Sequence, residues 1–335
     1  MTVPFRPTIA DVAKRANVSV ATVSYVLSGK EELVRRISGE TRERVTKAIA
    51  ELGYVQNQVA RQLRLRRTRR ICVLLPQIGI PFADNIARDV ETTVRQRGYS
   101  SVVVVGRTIE MCRQLVLDVE AGLADGIVAE VEQFSRTEID ALFEPVSRAG
   151  KAALLLHPTL EPDPFSTVRQ GRLPAFKAAL EHLHGTGRRH FAYIRHGDSD
   201  DAHRSETLRT FLAGKGLEAP LIVTGAENRD DAVAAALAMV DGTRPPDALL
   251  IQSDLSAVAV IQAMLRRGVR VPEDIAIVGS GNAEDGRHCF PQLTTIGPER
   301  SLLGTSVDHL IDEIEGKAEP RTFEIAWSMI GRESA

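Results

Sequence analysis

The sequence predicts a small all-α helix-turn-helix DNA-binding domain with a hinge helix, followed by a two-lobed α/β core of doubly wound parallel sheets. Three observations predict it. Basic charge is gathered at one end of the chain, helix caps and apolar residues at 3/4 spacing recur through that basic end, and the remainder alternates continuous apolar runs with amphipathic stretches. With 335 residues, 43% of them hydrophobic, the chain has material for two or three domains and at least one sizeable core.

A net charge of −2 conceals the asymmetry. Residues 1–70 hold 15 Lys and Arg against 6 Asp and Glu, whereas the other 265 hold 27 against 38. A basic arm on an acidic body suits a polyanion-binding module joined to a part that avoids polyanions. A disordered basic tail is the competing reading, and the apolar periodicity of the segment argues against it. Three scattered cysteines, Cys72, Cys112 and Cys289, with no C-x-x-C, exclude a disulfide framework and give no sign of a metal site. The N-terminal residues MTVPFRPTIADVAKRA lack a signal-type apolar stretch, and no apolar run approaches the roughly 18–20 residues that span a bilayer. A cytoplasmic protein without membrane contact is expected.

Thr8-Ile9-Ala10-Asp11 has the capping-box pattern, and Ile9, Val12, Ala13 and Ala16 follow on one helical face. Asn17 tolerates positive φ and suits the turn after it, and Ser19 can cap a second helix, Val20–Leu27, with Val23, Val26 and Leu27 facing inward. A third helix after Ser38 supplies Val45, Ile49 and Leu52. Two short helices on a tight turn, completed by a third, are a helix-turn-helix, whose second helix enters the major groove N-terminus first. Val20, Ala21 and Tyr25 then face base edges: the first two can pack on a thymine methyl, and Tyr25 offers a ring and a hydroxyl. Ser19, Thr22 and Ser24 are the candidate phosphate contacts, and Thr8 is a further candidate DNA-binding residue. Competing readings leave Thr22 and Ser24 solvated and Tyr25 packed on the third helix.

Residues 57–69 are too basic for a core segment and too apolar for a spacer. A short helix there is marginal alone and is expected to form on DNA, with Asn57, Ala60, Arg61, Leu63 and Arg64 as contacts and Leu63 as an apolar wedge in the minor groove. A small tertiary contact is the alternative role for Leu63. The run TIADVAKRANVSVATVSYVL, followed by ISGETRERVTKAIAELGYVQNQVARQLR, resembles the N-terminus of the lactose-repressor (LacI/GalR) family of bacterial transcription regulators over about 65 residues. The resemblance places the family's base-reading pair on Val20 and Ala21, a further reader on Tyr25 and its intercalating leucine on Leu63. Gln56 stands where that family commonly has proline.

From Ile71 onward the apolar runs Ile71–Leu75, Ser101–Val105, Gly126–Val131, Ala152–Leu156, Phe191–Ile194, Leu221–Val223, Ala248–Ile251 and Ile275–Val278 alternate with amphipathic stretches. Continuous apolar strands indicate parallel sheets covered on both faces, and eight of them indicate two doubly wound halves with a ligand cleft between. The family resemblance continues through HLHGTGRRHFAYI, PDALLIQSD, GVRVPEDIAIVG, PQLTTIGPE and IGRES. It implies a periplasmic-binding-protein-like core over 70–335, with lobes at about 70–166 plus 296–321 and 167–295 plus 322–335, preceded by a DNA-binding domain at 1–56.

Eight histidines are scattered, and G-x-S-x-G, the Walker lysine motif and a Rossmann glycine fingerprint are missing, so no catalytic, cofactor or metal residues are assigned. The expected function is a ligand-responsive, sequence-specific transcriptional regulator. It is expected to be a repressor acting as a homodimer on a pseudopalindromic double-stranded DNA operator, with a small-molecule effector in the interlobe cleft. The alternative is an enzyme or a non-transcriptional binding protein with an accessory DNA-binding arm. Resemblance marks Phe82, His157, Arg204, Asp254, Gly281 and Asn282 as the effector site. Competing roles are hinge packing for Phe82, helix capping for Asp254 and interlobe ion pairing for Arg204. Sugar-responsive relatives read hydroxyls with carboxylates where this chain has His157 and Gly281. With Arg204 retained and Asp254 as the only obvious acid nearby, an anionic or aromatic effector is expected, or a cleft that no longer takes a small ligand; the competing reading has Glu284 or Asp285 supply the missing acid.

Overall fold

The structure, a computed structural model, describes residues 7–28, 35–54, 67–79, 81–106, 108–195, 202–299 and 303–335. The chain divides into two compact units, Met1–Arg67 and Thr68–Ala335.

In the first unit, α1 (Ile9–Ala16), α2 (Val20–Ser28) and α3 (Gly39–Leu52) enclose Val12, Ala13, Ala16, Val23, Val45 and Ala48. Ile9, Val26, Leu27, Ile49 and Leu52 pack around that core, the set expected from the apolar spacing. Each local signal acts as its chemistry requires. The Asp11 carboxylate accepts from the Thr8 amide (2.8 Å) and hydroxyl (2.7 Å), which holds the Asp11 pKa below its ordinary value. Asn17 ends α1 in the left-handed region, at φ 53.

The second unit holds β1 (Arg70–Leu75), α4 (Pro81–Gln96), β2 (Ser100–Val105), α5 (Ile109–Glu120), β3 (Gly126–Glu130), α6 (Arg136–Arg148), β4 (Ala152–Leu156) and β5 (Ser166–Gln170). It continues with α7 (Arg172–Gly185), β6 (Phe191–Ile194), α8 (Ala202–Gly214), β7 (Leu221–Val223), α9 (Arg229–Val240), β8 (Ala248–Ile251), α10 (Asp254–Arg266) and β9 (Ala276–Ser280). The chain closes with α11 (Asp285–His288), β10 (Thr294–Gly297), α12 (Gly304–Ile314), β11 (Thr322–Ile325) and β12 (Ser328–Ile330). Two six-stranded sheets result, ordered β11-β5-β4-β3-β1-β2 and β12-β10-β9-β8-β6-β7, parallel except where β12 runs against β10. The continuous apolar strands are explained by β1. Ile71, Val73 and Leu75 face one core cluster and Cys72 and Leu74 the opposite one, so both faces are covered. Among the described residues no helix is long and apolar enough to cross a membrane.

All eight apolar runs are strands. β5, β10, β11 and β12 escape that pattern because they are short and mix Thr, Ser, Arg and Glu with their apolar residues. The lobe divisions expected at 166/167, 295/296 and 321/322 are corrected accordingly. Both β5 and β11 belong whole to the first sheet and β10 whole to the second, so the chain crosses after Gln170, after Gly297 and between Ile325 and Ser328. The second unit also begins two residues before the expected Arg70. The Asp125 carboxylate accepts from the Thr68 amide (2.8 Å), the Thr68 hydroxyl (2.9 Å) and the Arg69 amide (2.8 Å), fastening these residues to the first sheet.

Only Ala326 and Trp327 join the end of β11 to the start of β12, which lies beside the carboxyl end of β10. Two residues span roughly 10 Å at most, so the carboxyl edges of both sheets meet at this hinge. That edge is where ligands of open α/β sheets bind.

Candidate DNA interface and effector site

The second helix of the first unit presents what a groove-reading helix needs. Ser19 caps it, accepting from the Thr22 amide at 3.1 Å, and the buried Val23 anchors it. Val20 and Tyr25 are 45% and 41% exposed, and Ala21 is exposed between them. The Ser19 and Thr22 hydroxyls also bond each other at 2.9 Å, so their first task is to order the helix start. Thr8 is exposed at the cap of α1, and Ser24 is half-buried. Asn57, Ala60, Arg61, Leu63 and Arg64 lie outside the described residues, as does Gln56.

In the second unit all six expected effector residues follow carboxyl ends of strands, yet they divide into different roles. Asp254, 2% exposed, accepts from the Thr295 hydroxyl and the Ala283 amide, each at 2.6 Å. Burial pushes its carboxyl up to about 6, with those hydrogen bonds pulling the other way. A Cβ at Gly279 would sit 2.2 Å from its Oδ1, so this strand needs glycine for the carboxylate to reach the loop. Asn282, at φ 55, donates to the Pro298 carbonyl and accepts from Arg332, both at 2.7 Å. Asp254 and Asn282 thus brace the loop after β9, and the neighbouring Gly281, at φ 128, makes its tight path possible. His157 is equally committed: Nδ1 accepts from the Thr159 amide at 3.2 Å and the ring donates to the Phe134 carbonyl. Burial lowers its pKa, so it is neutral here near pH 7. Arg204 lies at the start of α8, beyond β6, and is 5% exposed.

Phe82 leads to a group that the sequence reading missed. Its ring lies 6.1 Å from that of Trp327, and the Arg172 guanidinium sits 5.1 Å from the first and 5.0 Å from the second. Arg172 also pairs with Glu132 at 2.6 Å and donates to Gln170 at 2.9 Å. One cation therefore ties the start of α4, the loop after β3 and two crossovers together at the hinge. Beside it stands Glu130, at the carboxyl end of β3. Its Oε2 is buried without a hydrogen-bond partner among the described residues. Burial, then the Glu132 charge, raises its carboxyl to about 7 against the opposing pull of Arg172. Asp254 is thus engaged by Thr295 and Ala283, while Glu130, an acid the sequence reading did not name, stands at the carboxyl end of β3 with one oxygen lacking a hydrogen-bond partner among the described residues. The signal was a pair of acids ending an otherwise apolar strand, GIVAEVE. Arg172 gave no such sign, because Glu132, Phe82 and Trp327 are remote from it in sequence.

Residues 8–57 match the model of bacterial regulatory proteins of the lacI family, and residues 180–335 match that of the periplasmic binding protein-like domain. The chain is 30% identical to the ribose operon repressor of Halalkalibacterium halodurans, covering 98% of this chain and 96% of the relative. It is also 30% identical to the lactose operon repressor of Escherichia coli, covering 93% and 86%. Among solved structures it is similar to the Lac repressor dimer bound to operator and the anti-inducer ONPF, at 26% identity and a TM-score of 0.84 over 98% of this chain and 99% of that one. It is likewise similar to a complex of the transcriptional regulator CelR with cellobiose, at 27% identity and a TM-score of 0.68 over 98% and 100%.

Proposed function

Because the chain belongs to the lacI family of bacterial regulatory proteins, we propose that it represses transcription as a homodimer on a pseudopalindromic operator and is released or engaged by a small effector. The exposed row Val20, Ala21 and Tyr25 on a capped helix carries this reading, as it turns an aliphatic pair and a phenol ring outward while Val23 anchors the helix from within. One such helix contacts too few base pairs for specificity, so two copies share a dyad. The Lac repressor structure to which the chain is similar is a dimer on operator.

The effector enters at the hinge edge, where the Glu130 Oε2 has no hydrogen-bond partner among the described residues and Arg204 stands beyond β6. The anionic expectation rested on the retained Arg204 together with a shortage of acids. Glu130 favours instead a polar ligand that donates a hydrogen bond to a carboxyl; Arg204 supports the anionic reading in its place only if the ligand also carries acid. Closure about the Arg172 clasp changes the relation of the two lobes and hence the pose delivered to Thr68 and the linker. Operator selected from random duplex pools tests the core proposal. Affinity is expected to fall by on the order of 10³-fold or more between 50 and 200 mM salt, as six or more phosphate contacts release counterions. A flat salt response, or one copy per site with no dyad, overturns it.

A further inference from the structure

We propose that the second lobe carries an additional small-molecule site, at the opposite edge of its sheet from the effector cleft, that takes an amphipathic carboxylate. A pocket of about 570 Å³ opens between the edge strand β7 and α9, bounded by the amino end of β6. The sequence makes it. Ala235 and the exposed Ala238 of α9 line it, and such short side chains leave open space that larger ones would fill. Leu221, Val223 and Met239 complete an apolar wall, and Leu221 is 49% exposed.

The mouth is basic. Arg189, His190 and Arg244 border it, with Glu218 the one acid among its described lining residues. Arg244 pairs with Glu218, and its Nη2 meets the His190 Nε2 at 3.2 Å. Arg189 directs Nη1 to the carbonyls of His184 (3.1 Å) and Arg188 (2.7 Å), dipoles rather than a carboxylate. Asp247 accepts from the Arg189 and His190 amides at 2.8–3.0 Å, and its Oδ2 also lies 3.9 Å from the His190 Nδ1. An apolar chamber of this size with cations at one end matches a metabolite-sized ligand whose tail fills the alanine gap. Its carboxylate takes the planar Arg244 in two hydrogen bonds, displacing Glu218.

The full chain is titrated with 8-anilinonaphthalene-1-sulfonate followed by fluorescence, with octanoate and 1-octanol as competitors. Saturable binding is expected, with octanoate competing at least tenfold better than the alcohol and Arg244→Gln erasing that advantage. Ala238→Phe fills the chamber and is expected to weaken dye binding at least tenfold. Leu221→Glu alters only an exposed wall, cannot disturb the core, and is expected to do the same by repelling the anion. Absence of saturable binding, or binding that survives both Ala238→Phe and Leu221→Glu, overturns the proposal. So does binding abolished by Glu130→Gln, which would place the dye in the effector cleft.

Discussion

Glu130→Gln tests whether the hinge edge is built to await a ligand. In the unfolded chain this carboxyl titrates near 4.5, in the fold at about 7. Below pH 4.5 both states are protonated and the group contributes nothing to pH dependence. As pH rises, the unfolded chain ionises first, so stability is lost progressively up to about 7 and stays lost above it. Each tenfold change in proton affinity is worth about 1.4 kcal/mol, which sets a ceiling of roughly 3 kcal/mol. Relaxation and water entry at a polar edge lower this to about 1–3 kcal/mol, or about 3–8 °C in Tm for a domain of this size. The amide cannot ionise. Its own fixed cost is independent of pH, so the informative quantity is how the Tm difference between E130Q and wild type changes across pH. Calorimetric scans from pH 5 to 8.5 are expected to show that difference moving in favour of E130Q by the stated amount. A difference that stays flat means that Glu130 titrates like a solvated carboxylate, and the argument for an unanswered buried acid fails.

Three further outcomes follow from the same geometry. Asp125→Ala removes three hydrogen bonds to a carboxylate and is expected to cost about 2–3 kcal/mol in thermal unfolding of the core; a loss below about 0.5 kcal/mol refutes the clamp on Thr68 and Arg69. Asp254→Ala, measured without effector, is expected to destabilise by about 2–4 kcal/mol, because the Ala283 amide and the Thr295 hydroxyl lose their buried acceptor; an unchanged Tm with loss of ligand binding returns Asp254 to a ligand-contact role. Leu63→Ala is expected to weaken operator binding on the order of tenfold while leaving the Tm of the core unchanged; equal affinity in gel shift or fluorescence anisotropy makes Leu63 a tertiary contact.

Much of this molecule is legible locally. Thr8, Asp11, Asn17 and Ser19 act on backbone groups within a few residues, and their roles follow from side-chain chemistry alone. The exposed face of α2 is legible as the complement of its apolar face. Strands buried on both sides are legible because each residue of β1 from Ile71 to Leu75 must be apolar. By contrast, β10, β11 and β12 become strands through pairing with distant segments, and no periodicity of their own announces them.

The effector edge shows the same limit at single residues. By itself the sequence determined that Phe82, His157, Arg204, Asp254, Gly281 and Asn282 stand near strand ends in a two-lobed α/β core. Only the tertiary structure decided which of them are already occupied. Asp254 meets Thr295 across 41 positions and Asn282 meets Arg332 across 50, and those partners consume side chains that their residue types would otherwise offer to a ligand. Glu130, its Oε2 without such a partner among the described residues, is left to be answered. Hydrogen-bonding capacity belongs to the residue, whereas the water or partner that satisfies it is set by packing, and packing is a property of the whole chain.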